Sequence, residues 1–218
     1  KWLTTGLRAS VARTKQTNSV DGSGAIYNAL NQLPEVPARN PDGSFGMQTE
    51  NMYGTYFSNP LSDLIQNENY SRSTQVYVNA FADIKLWKGL VFRTEYAANY
   101  NYNTGYRFTP SYDYEFFKQQ SSASRSAGNG SNWTLKTYLT YNGTFGKHNV
   151  SVMAGHEAQE NNWESLDGSR TNFLFNSVHE LNAGDATTAK ANSSRGSSAI
   201  ESYFGRLNYN FADRYLLT

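Results

Sequence analysis

Cysteine is absent from the 218 residues, which excludes both a disulfide frame and a thiolate metal site. Long hydrophobic runs are missing as well, and without about eighteen apolar residues in a row no helix crosses a membrane. A barrel passes that test unseen, because only every second residue of its strands meets lipid. Net charge is close to nil, at +1, and offers no argument for a nucleic-acid partner. Histidine is scarce. His148 falls in a turn, His156 on a strand and His179 in a loop, with no spacing that marks a triad or a metal centre. The opening residues, Lys1-Trp2-Leu3-Thr4-Thr5-Gly6-Leu7, are too short and polar a run for a signal peptide.

Aromatic residues, by contrast, are plentiful. They make up 15% of the chain, with 16 Tyr, 12 Phe and 4 Trp, yet the mean hydropathy is polar at −0.67. The stretch 73–102 shows how both hold at once. Thr74, Val76, Val78, Ala80, Ala82, Ile84 and Leu86 share one parity; Gln75, Tyr77, Asn79, Phe81, Asp83 and Lys85 share the other. After the break Trp87-Lys88-Gly89 the alternation resumes, with Leu90, Phe92, Thr94, Tyr96, Ala98, Tyr100 and Tyr102 against Arg93, Glu95, Asn99 and Asn101. A period of two sends successive side chains to opposite faces of a strand. With a tight break between them, the two runs predict an antiparallel hairpin. Each arm is about twice the usual strand of 5–6 residues. It matches instead the roughly 9–11 residues that cross a bilayer at a tilt.

The same pattern recurs along the chain. A first strand is predicted over 2–13, a fourth over 133–141, a fifth over 150–159 and a sixth over 203–211, with Ala212-Asp213 turning into a seventh. Between them the period is lost over 15–72, 103–131 and 161–200, where turn residues such as Asn40-Pro41-Asp42-Gly43 accumulate. Within the first of these, 25–33 reads as a short helix stopped by Pro34. Short breaks (87–89, 143–149, 212–213) alternate with the long stretches, so the two kinds of connection gather at opposite ends of one sheet. Membrane barrels segregate short periplasmic turns from long external loops in this way. The mid-strand charges Arg8, Asp83, Lys85, Arg93, Glu95, Lys136, Glu157 and Arg206 all keep to the polar parity, with His156 as the exception. An Arg or Lys on the lipid face would cost about 2–4 kcal/mol at mid-depth. The predicted class is all-β, a partial transmembrane antiparallel barrel in contact with the lipid bilayer. A soluble β-protein with its apolar parity turned to a core is the alternative that alternation leaves open. Both ends read as cut, so a piece of a longer polypeptide is expected.

Three stretches carry a family likeness. Leu33-Pro34-Glu35-Val36-Pro37 with Asn40-Pro41-Asp42-Gly43-Ser44-Phe45-Gly46 resembles an external-loop motif of the SusC/RagA family of TonB-dependent outer-membrane transporters. Lys88-Gly89-Leu90-Val91-Phe92-Arg93 is similar to one of its periplasmic hairpins. Tyr203-Phe204-Gly205-Arg206-Leu207-Asn208-Tyr209, running into Asp213-Arg214-Tyr215-Leu216-Leu217-Thr218, is the most specific. The resemblance implies a middle section of a barrel of roughly 22 strands with a plugged lumen, the plug and TonB box lying outside residues 1–218. It also implies the outer membrane of a Gram-negative bacterium, glycan or peptide cargo, energy from the TonB complex through the plug, and a SusD-like surface lipoprotein as lid. A barrel adhesin or receptor that binds without transport is the second reading.

No catalytic residues are predicted; a barrel hydrolase using a serine and His156 is the third reading. Asp42 is either the brace of its own turn or one ligand of a calcium ion. As substrate platforms the candidates are Tyr53, Tyr56 and Phe57 in the first long stretch and Tyr106, Phe108, Tyr112, Tyr114, Phe116 and Phe117 in the second. Exposed rings offer flat apolar faces to sugars or side chains; alternatively they pack on one another and hold the loops together. The eight mid-strand charges named above are expected to line the lumen or dock the plug.

Overall fold

The computed structural model describes residues 1–17, 22–47, 57–114 and 117–218. Its strands are β1 (Leu3–Thr17), β2 (Glu68–Trp87), β3 (Leu90–Thr109), β4 (Tyr112–Tyr114), β5 (Phe117–Gln119), β6 (Ser122–Phe145), β7 (His148–Thr171), β8 (Lys190–Phe211) and β9 (Tyr215–Leu217). Two helices, α1 (Gly22–Asn31) and α2 (Pro60–Gln66), lie in the first long connection. β1, β2, β3, β6, β7, β8 and β9 form one antiparallel sheet in that order, each strand beside its neighbour in the chain, while β4 and β5 make a small separate hairpin. The sheet is open, with β1 and β9 at its edges.

Register is what joins the alternating runs into two continuous faces. Leu7 lies opposite Ala80, Ala80 opposite Tyr96, Tyr96 opposite Leu135 and Leu135 opposite Ala158. One position along, Phe81 meets Glu95, Glu95 meets Lys136 and Lys136 meets Glu157. A slip of one residue in any pair would exchange the faces of everything beyond it. Among the described residues the register of these ladders shifts at the β2–β3 turn, between Lys85 and Trp87. Apolar side chains on the first face stand in the open, Leu7 at 75% and Val11 at 72% exposure, as a lipid-facing wall requires and a soluble core forbids.

The apolar band is slanted. Its upper limit is Val11 on β1, in the row of Val76, and Tyr203 on β8, two rows of pairing removed from Ala158 and level with Ala82. From β1 to β8 the edge therefore drops six residues over five strand-to-strand steps. At about 3.4 Å per residue and 4.8 Å between strands this is a tilt of about 40°, the value typical of membrane barrels.

β6, β7 and β8 are more than twice as long as predicted, and β2 and β3 about half as long again. β6 and β7 each run 24 residues and β2 and β3 each 20, so most of 103–131 and 161–200 is strand rather than loop. Above the band both faces meet water, apolar alternation has no reason to persist, and Ser, Gly and Asn there mimic loop composition while the backbone ladder continues. The break predicted at 143–149 shrinks to Gly146-Lys147, and 87–89 to Lys88-Gly89. At Gly89 φ is +80° and a side chain would strike the Asn142 carbonyl, so a tight turn here needs glycine.

Long connections are held by their own polar groups. α2, absent from the sequence reading, starts at Asn59, whose buried side-chain oxygen accepts the N–H groups of Leu61 and Ser62 at 3.0 and 3.2 Å. The same amide donates to the carbonyls of Ala38 and Gly46 at 3.0 and 2.8 Å. Asp42 braces its own turn, accepting from the Ser44 N–H and hydroxyl at 2.9 and 2.6 Å, and these bonds hold its carboxyl below the usual aspartate range. α1 begins three residues earlier than 25 and ends at Asn31, not at 33.

Candidate functional site

The polar face of the wall carries the charges, and the register sets them side by side. Arg93 Nη1 lies 3.5 Å from Asp83 and Nη2 3.6 Å from Glu95. Asn79 donates to Glu95 at 2.9 Å, and the Arg93 guanidinium sits 4.5 Å above the ring of Phe81. One strand further, Lys136 Nζ is 3.3 Å from Glu157. The structure therefore brings together five of the predicted residues in a belt across β2, β3, β6 and β7. Arg8, Lys85 and Arg206 share that face but not the belt: Arg8 is opposite Asn79, Lys85 opposite Val91 and Arg206 opposite Met153. Such half-exposed pairs contribute little to stability, about 0–1 kcal/mol. The buried Nε of Arg93 has no hydrogen-bond partner among the described residues.

Above the belt the same face loses all charge. The row Ala12, Gln75, Asn101, Gly130, Trp163, Gly196 and the rows on either side of it hold only amides, hydroxyls, small residues and two aromatics, Tyr77 and Trp163. Charge returns in the rows beyond, with Arg8 below and Asp167 above. Trp163 was not among the predicted residues. The signal was available: carried past Gln159, the parity of β7 puts 161 and 163 on the polar face.

The predicted aromatic platforms divide. Tyr53, Tyr56 and Phe116 lie outside the described residues. Phe57 meets the edge of Tyr27 at 5.9 Å between ring centroids, and Tyr114 pairs with Phe117 in the backbone register of β4 and β5. Tyr106, Phe108 and Tyr112 are not exposed: they are 6, 0 and 8% accessible. Tyr106 and Phe108 stand on the apolar parity of β3 above the band, where lipid no longer covers it. The connection 172–189 folds down over them instead, bringing Phe173 edge-on to Phe108 at 5.5 Å and stacking His179 on it at 3.9 Å. Arg125 caps the Tyr106 ring at 4.4 Å and reaches both oxygens of Glu180 at 2.8 Å. Ser62 donates to the Tyr112 hydroxyl at 3.1 Å, tying α2 to β4. Packing, rather than ligand capture, occupies these three rings.

The histidines serve separate places. His148 Nδ1 is 2.6 Å from the Tyr209 hydroxyl, and His179 Nε2 is 2.6 Å from the Asn176 carbonyl. His156, the exception on the lipid parity, is 2.9 Å from Glu201. The slant accounts for it: His156 is one alternate position below Ala158, the band's last residue on β7, and lies opposite Tyr203, its last on β8. It therefore sits near the upper interface and not at mid-depth.

Comparison with known proteins agrees with this geometry. No protein-family model matches the chain. It is 27% identical to TonB-dependent receptor P3 of Formosa agariphila over 95% of its own length and 21% of the receptor's. To receptor P26 of the same organism it is 26% identical over 99% of itself and 22% of the receptor. The chain thus spans about a fifth of the relatives it matches. Among solved structures it superposes on a chain of the RagAB peptide transporter with TM-score 0.76 and 22% identity, covering 98% of itself and 25% of that chain. The open-open state of the RagAB peptide importer gives the same TM-score at 21% identity. By sequence and by fold, the chain resembles a wall segment of a SusC/RagA-like TonB-dependent receptor barrel.

Proposed function

We propose that this wall belongs to a TonB-dependent importer of oligosaccharides or peptides in the outer membrane of a Gram-negative bacterium, working beneath a SusD-like lipoprotein lid. The observation that carries the reading is the ion-pair belt on the inner face, from Asp83 and Arg93 through Glu95 to Lys136 and Glu157. These groups are too exposed to serve the fold much. They are well suited to a polar plug that must be held at rest and released under load, because exposed ion pairs break and re-form at small cost. Nothing in the belt assembles a nucleophile and base, so no enzymatic step is assigned.

The test is uptake by the intact organism. Labelled oligosaccharides and peptides should stop entering when the full-length gene is deleted, and equally when TonB is removed with the barrel left in place. Cargo that still binds at the surface, with no uptake dependent on TonB, would make the barrel a receptor or adhesin and overturn the importer reading.

A further inference from the structure

We propose that Trp163 is the stacking platform of a subsite for a neutral oligosaccharide on the inner face of the wall, above the membrane. The inference rests on the importer reading and narrows its cargo class.

Three observations carry it. First, the indole is only partly covered. A side chain at Gly196 would lie 2.8 Å from its Cε2, Cζ2 and Nε1 atoms, so the ring lies against the β8 backbone. Yet the residue is 47% exposed, so much of the ring is free of the described residues on the inner face of the wall. Two other inner-face aromatics also cover glycines, Phe81 over Gly6 and Phe204 over Gly155, but both are half-buried. Covering a glycine explains those rings; it leaves the exposure of Trp163 unexplained. Second, the indole N–H has no hydrogen-bond partner among the described residues, whereas that of Trp133 donates to Glu160 at 3.1 Å. Third, the neighbourhood is rich in donors and acceptors without charge. Asn101 in the ring's own row and Asn99, Asn132 and Asn161 in the next row of the same face lie close to it. No Asp, Glu, Lys or Arg shares those two rows; Glu164 and Arg195, one residue along, fall on the opposite parity.

The ligand chemistry follows. A flat apolar face suits the C–H face of a pyranose, and amides that both donate and accept suit its hydroxyls. A charged peptide or an acidic glycan would bring ions into a zone with nothing to pair them. Trp163 lies five residues above Ala158 on β7, or about 17 Å along the strand beyond the apolar edge. That places the subsite in the external mouth, where cargo first meets the wall.

The experiment uses the full-length protein in detergent and a panel of neutral gluco-, manno- and galacto-oligosaccharides, with sulfated glycans and neutral hexapeptides alongside. Calorimetry should show binding of at least one neutral glycan. Trp163→Ala should weaken it by about tenfold, the loss of one aromatic contact, while Trp163→Phe stays within about threefold. Because Trp163→Ala uncovers Gly196, Trp163→Phe provides an independent readout: it keeps a ring there and should abolish the glycan-induced change in tryptophan emission. The proposal is overturned if no neutral glycan binds, if sulfated glycans or peptides bind more tightly, or if affinity and emission change survive both substitutions. Uptake dependent on TonB that continues in the variants at unchanged cargo affinity sinks the subsite alone. Loss of TonB dependence in the parent protein sinks the importer reading instead.

Discussion

Asn59 shows how much a single side chain can hold when all its hydrogen-bonding capacity is used inside the protein. Its oxygen caps α2 and its amide ties down two carbonyls from 38 and 46. Asn59→Ala should cost about 2–4 kcal/mol locally, a lost cap plus two carbonyls left without a donor. Hydrogen exchange would then quicken in 57–67, while the β3–β6 ladder stays protected. Tyr106 offers a pH signature, and it lies above the apolar band. Burial, with the charge of Glu68 second, raises its phenol from 10.0 to about 12, and the protonated hydroxyl donates to the His179 carbonyl at 3.3 Å. A group whose folded pKa is raised contributes stability in full below its unfolded value and loses it as pH climbs through the folded one. The cover of 172–189 should therefore hold to pH 10 and loosen towards pH 12. Tyrosinate absorbance and proteolysis of that segment would rise together, and Tyr106→Phe should uncouple them.

At the scale of the strand, legibility followed the solvent. Wherever one face meets lipid and the other water, as in β2 between Val76 and Leu86, the period of two was plain and the paired charges could be assigned to one face from spacing alone. β7 shows where that ends. Past Gln159 both faces are wet, the apolar signal vanishes, and Asn161 to Thr171 read as loop although they continue the ladder. α2 was missed for a related reason: one turn of cap and proline at Asn59-Pro60 looks like loop punctuation until its partners at 38 and 46 are known. The rings of Tyr106 and Phe108 sat in the right stretch, but their burial depends on 172–189, a contact no local pattern encodes. Face assignment itself is open to test by charge. Val78→Arg or Leu139→Arg puts a cation towards hydrocarbon at about 2–4 kcal/mol and should block assembly of the full-length barrel. Asn79→Arg, on the wet face beside Glu95, should assemble normally. Equal yields of heat-modifiable protein from all three would refute the assignment.

For the whole molecule, backbone accounting and tilt set the terms. β1 and β9 leave rows of N–H and C=O groups along the open edges of the sheet, and hydrocarbon satisfies none of them. Closure by further strands is what the bilayer demands. Tilt then determines depth, because positions paired across the sheet do not lie at one level in the membrane. Leu7 and Glu201 belong to one register row, joined through Ala80, Tyr96, Leu135 and Ala158. A wall with upright strands would place both at the same depth. With the band slanted by about 40°, Leu7 lies inside the hydrocarbon and Glu201 just above it. Residues 1–218 hold no cysteine, so within this wall the introduced thiol is the one that reports, and any cysteine elsewhere in the full-length protein is first replaced by serine. In intact cells carrying the full-length protein, Glu201→Cys should react with a membrane-impermeant maleimide, whereas Leu7→Cys should stay unlabelled until detergent is added. Matching reactivity at the two positions would mean that the apolar edge runs level, and the slant drawn from register and hydrophobicity would be wrong.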